Sequence, residues 1–247
     1  MTDIGDVHYC RCDSCGFVIS RTHVEMSDEV WGELNYQFHH FHERAGFDGE
    51  INQPPYLEQA AMLAILSKSN IVDASSMLDY AAGYGSLSHL LNKYFGMNLP
   101  KYDPYVNKGG DRPYLKDEEL GTYKTVINSA MFEHVRSRDD LDRVHSLVTS
   151  DGCMIVHTLV CERVPSDPDW FYLRPPVHTA FHTNRSMEIL MAQWGFKSSL
   201  YCPQSKCWVL LRDDVSHFEQ LVADMNLELQ CQWFHCKNGF VDFWKGF

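Results

Sequence analysis

The stretch LDYAAGYGSL, residues 78–87, places a loop of small residues between an apolar run and a helix-forming run. Glycines such as Gly83 and Gly85 tolerate positive φ, so the backbone can approach a ligand closely at this point. The helix predicted to begin at Ser86 directs its free N–H groups toward the same place. An open α/β sheet binds its ligand at a loop of this kind, after the carboxyl end of a strand. We therefore expect a ligand site here.

The segments that follow this loop alternate between strand and helix patterns. Strands separated by helices form βαβ units, and hence a parallel sheet that is covered by helices on both faces. Two further boundaries follow from capping preferences, since Ser27 is suited to begin a helix and Gly96 to end one. The predicted strands lie within residues 76–80, 99–103, 124–128, 151–158, 198–201 and 207–211, and the helices of this region within 86–95, 138–148 and 187–194.

An acidic residue, Asp103, ends the second predicted strand. A carboxylate at that position can accept hydrogen bonds from the hydroxyls of a ribose. The chain lacks the three-glycine fingerprint that binds a pyrophosphate, so a cofactor with a ribose and no pyrophosphate fits better. The competing interpretation is a plain tight turn with Asp103 as an ordinary loop acid.

Taken together, these features resemble the class I S-adenosylmethionine-dependent methyltransferases, in particular members that act on sugars and small molecules. Residues 78–85 are similar to the first motif of that family, with Ala81 and Ala82 where the family has glycine and cysteine. The resemblance spans about residues 76–211. The other similar segments are Tyr102–Asp103–Pro104, residues 128–135, the turn and strand at 151–157, and the substrate-side segment at 178–196.

The resemblance implies a Rossmann-like α/β fold with a seven-stranded, mostly parallel sheet whose last strand is antiparallel. It also implies S-adenosyl-L-methionine as the cofactor. By residue-by-residue carry-over, the expected cofactor-binding residues are Asp79, Ala81, Gly83, Gly85, Asp103, Asp111, Ser129 and Phe132.

Methyl transfer to a hydroxyl needs a base, because an alcohol is a poor nucleophile until its proton begins to leave, and histidine is the usual base near neutral pH. The catalytic candidates are His178, His182, Glu133 and His134, which lie in segments expected at the carboxyl edge of the sheet. We favour His178 as the base, since it matches the substrate-side histidine of the resembling family. Glu133 would orient a histidine or bind a substrate hydroxyl. The alternative is that these histidines are structural or merely exposed.

The leading functional hypothesis is O-methylation of a sugar or other small-metabolite hydroxyl. An insertion at residues 162–176 is rich in aromatic side chains, which suit a carbohydrate or aromatic acceptor, although a packed loop explains the composition equally well. The alternatives are an N- or C-methyltransferase of a small molecule, and a non-catalytic cofactor-binding partner protein, which the altered first motif favours.

The sequence pattern of the first 70 residues differs from that of the rest. We expect a cysteine-knuckle and helical extension there, followed by a cofactor-binding domain at 71–247 with a helical C-terminal tail. Cys12 and Cys15 form a Cys-x-x-Cys-Gly pattern, and Cys10 lies close by. Thiolates at this spacing can bind one tetrahedral metal ion. Structural zinc held by Cys10, Cys12 and Cys15, and free thiols, are the two interpretations that the sequence leaves open.

The charge balance limits the partners. The 247-residue chain has 21 Lys and Arg against 33 Asp and Glu, a formal net charge of −12, so nucleic acid and anionic membranes are not expected partners. A polar, acidic start that does not read as a secretory signal, together with nine cysteines that suggest thiols or metal ligands, indicates a cytoplasmic protein. We expect a small-molecule or carbohydrate substrate. The aromatic C-terminal stretch packs either on the core or on a second subunit of a homo-oligomer.

Overall fold

The computed structural model describes residues 4–40, 54–106 and 113–242. These residues form two sheets and seven α-helices. The strands are β1 (Tyr9–Arg11), β2 (Val18–Ser20), β3 (Met77–Tyr80), β4 (Lys101–Tyr102), β5 (Tyr123–Ser129), β6 (Val148–His157), β7 (Val160–Cys161), β8 (Ala180–Thr183), β9 (Ser198–Cys202), β10 (Cys207–Leu211) and β11 (His235–Asn238). The helices are α1 (Arg21–Val24), α2 (Asp28–His39), α3 (Tyr56–Lys68), α4 (Ser86–Phe95), α5 (Arg138–Ser146), α6 (Asn184–Gln193) and α7 (Glu219–Glu228).

The larger sheet has seven strands in the order β11-β9-β10-β6-β5-β3-β4. The strands β4, β3, β5 and β6 are parallel, whereas β10 runs antiparallel to both of its neighbours. The predicted seven-stranded, mostly parallel fold is confirmed. One difference concerns the edge, because β11 adds a second antiparallel strand beside β9. Between β4 and β5, the described residues form no further strand.

Helices cover both faces of this sheet, as predicted. Alternate residues of β3 face opposite sides, so that Leu78 and Tyr80 join one apolar cluster and Met77 joins the other. Helices α5 and α6 pack on the first face, and α3, α4 and α7 on the second. The predicted caps are also present, since the Ser27 side chain accepts the Val30 N–H and Gly96 ends α4 with φ of 66°.

The smaller sheet was not expected from the sequence. The N-terminal hairpin β1–β2 pairs with β8, and β8 pairs with β7, which gives the order β1-β2-β8-β7. These strands have two to four residues each, and the contacts between β2 and β8 join positions that are far apart in sequence. Local patterns carry no signal for such pairings. The sheet brings the cysteine hairpin beside the segment that carries the candidate histidines.

Within the three described ranges, no helix is long and apolar enough to cross a membrane.

Candidate functional site

A cavity of about 700 Å³ lies at the carboxyl ends of β3, β4, β5 and β6. Strand-end residues form its floor, helix α2 lines it through Trp31 and Asn35, and the 162–176 insertion contributes Phe171 and Tyr172. The volume is typical of a small-molecule or cofactor site. Of the residues predicted from the sequence, those that line it are Ala81, Gly83, Asp103, Ser129, Glu133, His134 and His178.

The loop after β3 has the left-handed backbone that its composition predicted. Ala81, Gly83 and Gly85 have φ of 60°, 52° and 78°. Gly85 does not line the cavity, and a Cβ at this position would lie 2.6 Å from Cδ of Lys101. The hydroxyl of Tyr114 donates a hydrogen bond of 2.6 Å to the carbonyl of Gly83. One side of the loop therefore packs against Lys101 and Tyr114, and the other side lines the cavity.

Asp103 joins this loop to the one that follows β4. Its Oδ2 accepts the N–H of Gly83, and its Oδ1 accepts the N–H groups of Tyr105 and Val106, each at 2.8 Å. Burial raises the pKa of the carboxyl, and these hydrogen bonds act in the opposite direction. A carboxylate has about four acceptor positions. Three are used by the backbone, so one remains on Oδ2 for a ligand hydroxyl.

Asp79 lies behind the loop and not on the cavity wall. It is fully buried in β3, with Lys101 as its partner across the β3–β4 pairing. Burial, followed by the negative charge of Asp103, raises the pKa of Asp79 to about 8, while Lys101 opposes the shift. Its place predicts a role in the shape and stability of the loop rather than contact with a ligand.

The remaining cofactor candidates occupy different surroundings. Ser129 ends β5 on the cavity wall and donates a hydrogen bond of 3.0 Å to Gln59. Phe132 is fully buried, packs against His182 and Trp194, and does not line the cavity. Asp111 lies outside the described residues.

Three of the four catalytic candidates come together on one wall. One possible ligand atom from each of Glu133, His134 and His178 lies within 4.8 Å of the other two. A hydrogen bond of 2.7 Å from the N–H of Thr179 to the carbonyl of Glu133 joins the two segments that carry them. The sequence placed these residues at the same edge of the sheet, and the structure brings their side chains into one cluster.

Tyr172 organises this cluster. Its hydroxyl donates to Oε1 of Glu133 at 2.7 Å, while Thr158 donates to Oε2 at 2.8 Å. Nδ1 of His178 lies 2.7 Å from the Tyr172 carbonyl. Because a carbonyl oxygen only accepts, Nδ1 must carry the proton, which leaves a lone pair on Nε2 of His178.

Burial sets the protonation states in the cluster. It lowers the pKa of His178 to about 4, so the imidazole is neutral near pH 7. The pKa of His134 also lies well below its ordinary value, because the ring is buried and is close to His178 and His39. Burial raises the pKa of Glu133, and its hydrogen bonds from Tyr172 and Thr158 limit that rise.

His182 lies elsewhere. It is buried in β8 between the rings of Phe17 and Phe132, with centroid distances of 5.0 and 5.4 Å, and it does not line the cavity. The spacing of four residues from His178 suggested a common wall. However, the N–H of His178 bonds to the carbonyl of Pro175 in a turn before β8 begins, so the two histidines do not share one strand face.

Several cavity residues were not identified from the sequence. His39, at the end of α2, lowers the pKa of Asp103 and has its ring 6.1 Å from that of His134. Only tertiary packing places it there, so no local signal was available. His157, which lines the cavity at the end of β6, was recognisable in principle, because ligand-binding residues gather at the carboxyl ends of parallel strands.

In the cysteine hairpin, the thiols of Cys12 and Cys15 lie within hydrogen-bond reach of each other. Hydrogen bonds from the N–H groups of Cys15 and Ser14 lower the pKa of Cys12, whereas burial raises that of Cys15. Cys10 is exposed in β1. In the described part of the chain, these three cysteines form no group of converging ligand atoms. Structural zinc at this hairpin stays a prediction.

The family follows from comparison with known domains. Residues 34–199 match the family model for a methyltransferase domain, which covers about two thirds of the chain. The chain belongs to this family. It is a class I S-adenosylmethionine-dependent methyltransferase, as the sequence motifs predicted. A comparison with curated proteins gave no match.

Solved methyltransferases are similar to this one at low identity. CalO1, a methyltransferase in calicheamicin biosynthesis with SAH bound, is 15% identical with a TM-score of 0.43, and the match covers 62% of this chain and 53% of CalO1. Magnesium protoporphyrin IX methyltransferase (ChlM) from Synechocystis PCC 6803 is 13% identical over 75% of this chain and 97% of ChlM, with a TM-score of 0.46. The plantazolicin methyltransferase BamL is 14% identical over 86% and 98% of the two chains, with a TM-score of 0.49. Such identities say nothing about substrate.

The first testable prediction concerns backbone strain in the methyltransferase loop. Ala81 has a positive φ, which costs an L-residue roughly 1–2 kcal/mol, whereas Ala82 does not. Replacing Ala82 with glycine mainly adds entropy to the unfolded chain. We therefore expect Ala81→Gly to be more stable than Ala82→Gly by about 1 kcal/mol in urea unfolding. Equal stabilities would contradict strain at Ala81.

The second prediction concerns the pH dependence of stability. The folded-state pKa of Asp79 is about 8, against an ordinary value of 3.8, so between these values the folded protein keeps a proton that the unfolded chain has lost, which costs the wild type stability as pH rises. Asp79→Asn removes this cost. Its free energy of unfolding relative to wild type should therefore increase from pH 5 to pH 8, by at most about 1.4 kcal/mol per pH unit.

The surface variant Asp224→Asn is the matched control, since this carboxyl is exposed on α7 and takes no part in the loop. Urea unfolding at pH 5, 6, 7 and 8 measures the trend. A constant difference between Asp79→Asn and wild type across this range would show that the folded carboxyl is already ionised at pH 5, and so that its pKa is not raised.

Proposed function

We propose that this methyltransferase methylates a hydroxyl group of a sugar or other small metabolite, with His178 as the proton acceptor. The observation that carries the proposal is the free lone pair of a neutral, buried imidazole on the cavity wall. Its Nδ1–H is held by the Tyr172 carbonyl, so Nε2 is left to accept a proton. The neutral form of imidazole is the one that accepts a proton, and the pKa of about 4 makes His178 a weaker base than an exposed histidine.

Four cavity residues fit the cofactor. Asp103 has one acceptor position left for a ribose hydroxyl, Ala81 and Gly83 offer close backbone approach, and Ser129 lies at the end of the neighbouring strand. S-adenosylmethionine supplies an electrophilic methyl group on a sulfonium. Transfer breaks the carbon–sulfur bond and forms a carbon–oxygen bond. The hydroxyl proton passes to Nε2 of His178.

Glu133, His134 and Tyr172 support the base. Tyr172 holds His178 through its carbonyl and Glu133 through its hydroxyl, so one residue fixes both side chains. The His134 ring lies 5.1 Å from that of His178 between centroids. Glu133 and His178 are buried and His134 is half-buried, which limits the access of water to the base.

The rest of the wall supports this acceptor class. Trp31, Phe38, Tyr105 and Phe171 present aromatic surface to the cavity, and Arg174 adds a cationic group. Aromatic faces with a few polar groups suit the apolar face of a sugar ring or a phenolic ring. Both classes offer a hydroxyl. We place the sugar first, with a phenol as the other acceptor to be tested.

The experiment compares hydroxyl and amine acceptors in wild type and His178→Asn. Asparagine can keep the hydrogen bond to the Tyr172 carbonyl while it removes the basic nitrogen. We expect kcat toward a hydroxyl acceptor to fall about 10²- to 10⁴-fold, with unchanged binding of S-adenosylhomocysteine. Transfer of labelled methyl groups to a panel of sugars, phenols and amines measures the rates, and calorimetry measures binding.

Two control variants separate the roles. His217→Asn, at an exposed histidine far from the cavity, should behave as wild type. Asp103→Asn should weaken cofactor binding instead of the chemical step. Unchanged kcat in His178→Asn would refute the base, and methylation of amines alone would refute the hydroxyl acceptor.

A further inference from the structure

The cluster of Glu133, His134 and His178 has the composition of a metal site. One imidazole nitrogen or carboxylate oxygen from each residue lies within 4.8 Å of the other two. Within the described ranges, no other group of three or more histidine, cysteine or acidic side chains has ligand atoms this close together. Small side-chain adjustments would bring the three atoms to metal-ligand distances of about 2.0–2.2 Å from one ion.

Two of these side chains, Glu133 and His178, make the kinds of hydrogen bond that metal ligands usually make with their surroundings. A metal-bound histidine usually donates its other ring N–H to a carbonyl or carboxylate, and ligating carboxylates are themselves hydrogen-bonded. His178 donates Nδ1–H to the Tyr172 carbonyl, and Glu133 accepts hydrogen bonds from Tyr172 and Thr158. Beyond these hydrogen bonds, Nε2 of His178 and further lone pairs of the Glu133 carboxylate are left to bind a ligand.

His134 is suited to be the third ligand. Its ring contacts those of Phe38, His39 and His178, and within the described chain no hydrogen bond occupies either ring nitrogen. Glu133 and His178 are buried, and His134 is half-buried. Neutral imidazole is the form that binds metals. With one carboxylate as the anionic ligand, a bound divalent ion would keep a net positive charge. The ion could then bind an anionic or polar ligand in the cavity.

We propose that Glu133, His134 and His178 bind a divalent transition-metal ion such as Zn²⁺ or Co²⁺. Two imidazoles and one carboxylate suit these ions, and three protein ligands leave a position open toward the cavity. The metal takes the Nε2 lone pair of His178. On the proposed function, this lone pair accepts the substrate proton, so metal binding inhibits methyl transfer to a hydroxyl. The binding itself does not depend on that function.

Co²⁺ titration of the full chain tests the site without any assay of activity. We expect one Co²⁺ per chain, with the visible absorption of a four- or five-coordinate nitrogen and oxygen site, and displacement by Zn²⁺. His134→Asn should weaken Co²⁺ binding more than tenfold, and Glu133→Gln should do the same. Thermal unfolding confirms that each variant is folded. If one fails to fold, the other carries the test.

The hairpin thiols are the competing site, so Cys12→Ser/Cys15→Ser is the matched control. This double variant should retain the Co²⁺ spectrum, and no thiolate-to-cobalt charge-transfer band should be present in wild type. Absence of Co²⁺ binding would overturn the proposal. So would binding that survives in folded His134→Asn and disappears in the cysteine variant.

The activity arm separates this inference from the proposed function. With a hydroxyl acceptor, one equivalent of Zn²⁺ should inhibit wild type, and a chelator should restore the rate. If Co²⁺ binds as expected but Zn²⁺ leaves the rate unchanged or raises it, the metal site stands and the base role of His178 is refuted. If Co²⁺ binds and no hydroxyl is methylated, the proposed function alone fails.

Discussion

The carboxylate of Asp103 is the interaction on which the cavity depends. It accepts backbone N–H groups from the loop after β3 and from the chain after β4, so one side chain fixes two loops that border the cavity. Hydrogen bonds to a charged acceptor are stronger than those between neutral groups, and burial strengthens them further. The same burial makes the charge expensive. Three N–H donors therefore stabilise the carboxylate and also set the positions of the residues that carry them.

The histidine side of the cavity depends on a different device, the pairing of β8 with the segment after β5. The Thr179 N–H bonds to the Glu133 carbonyl, and the Thr179 hydroxyl donates to the Val135 carbonyl. These bonds hold His178 beside Glu133 and His134 even though the chain between them crosses the main sheet. His23 adds to this arrangement, because its ring lies 2.8 Å from the Pro176 carbonyl and ties the N-terminal hairpin to the turn before His178.

The sequence was sufficient for the features that local chemistry determines. Residues 78–87 predicted the strand, the left-handed loop and helix α4, because glycine conformation, capping and periodicity are properties of neighbouring residues. Asp103 was identified since a strand end next to such a loop is a fixed position in this fold. Phe132 and Asp79 lie in the segments that the motifs indicated, but their side chains are buried and do not line the cavity. Motif spacing predicts which segment of the chain borders the site, whereas the direction in which each side chain points depends on packing.

What the sequence could not give was long-range assembly, and the cysteine hairpin illustrates why. Gly16 lies against Thr183, where a Cβ would be 3.3 Å from the threonine methyl, and the Thr183 hydroxyl donates to the Cys15 carbonyl at 2.5 Å. The hairpin is thus built onto the strand that follows His178. A segment that looked like an appended knuckle contributes an edge to the smaller sheet, and that sheet includes the strand that follows His178. Gly16 therefore serves both the tight turn of the hairpin and the contact with Thr183. The contact with Thr183 links the N-terminal hairpin to the strand that follows His178.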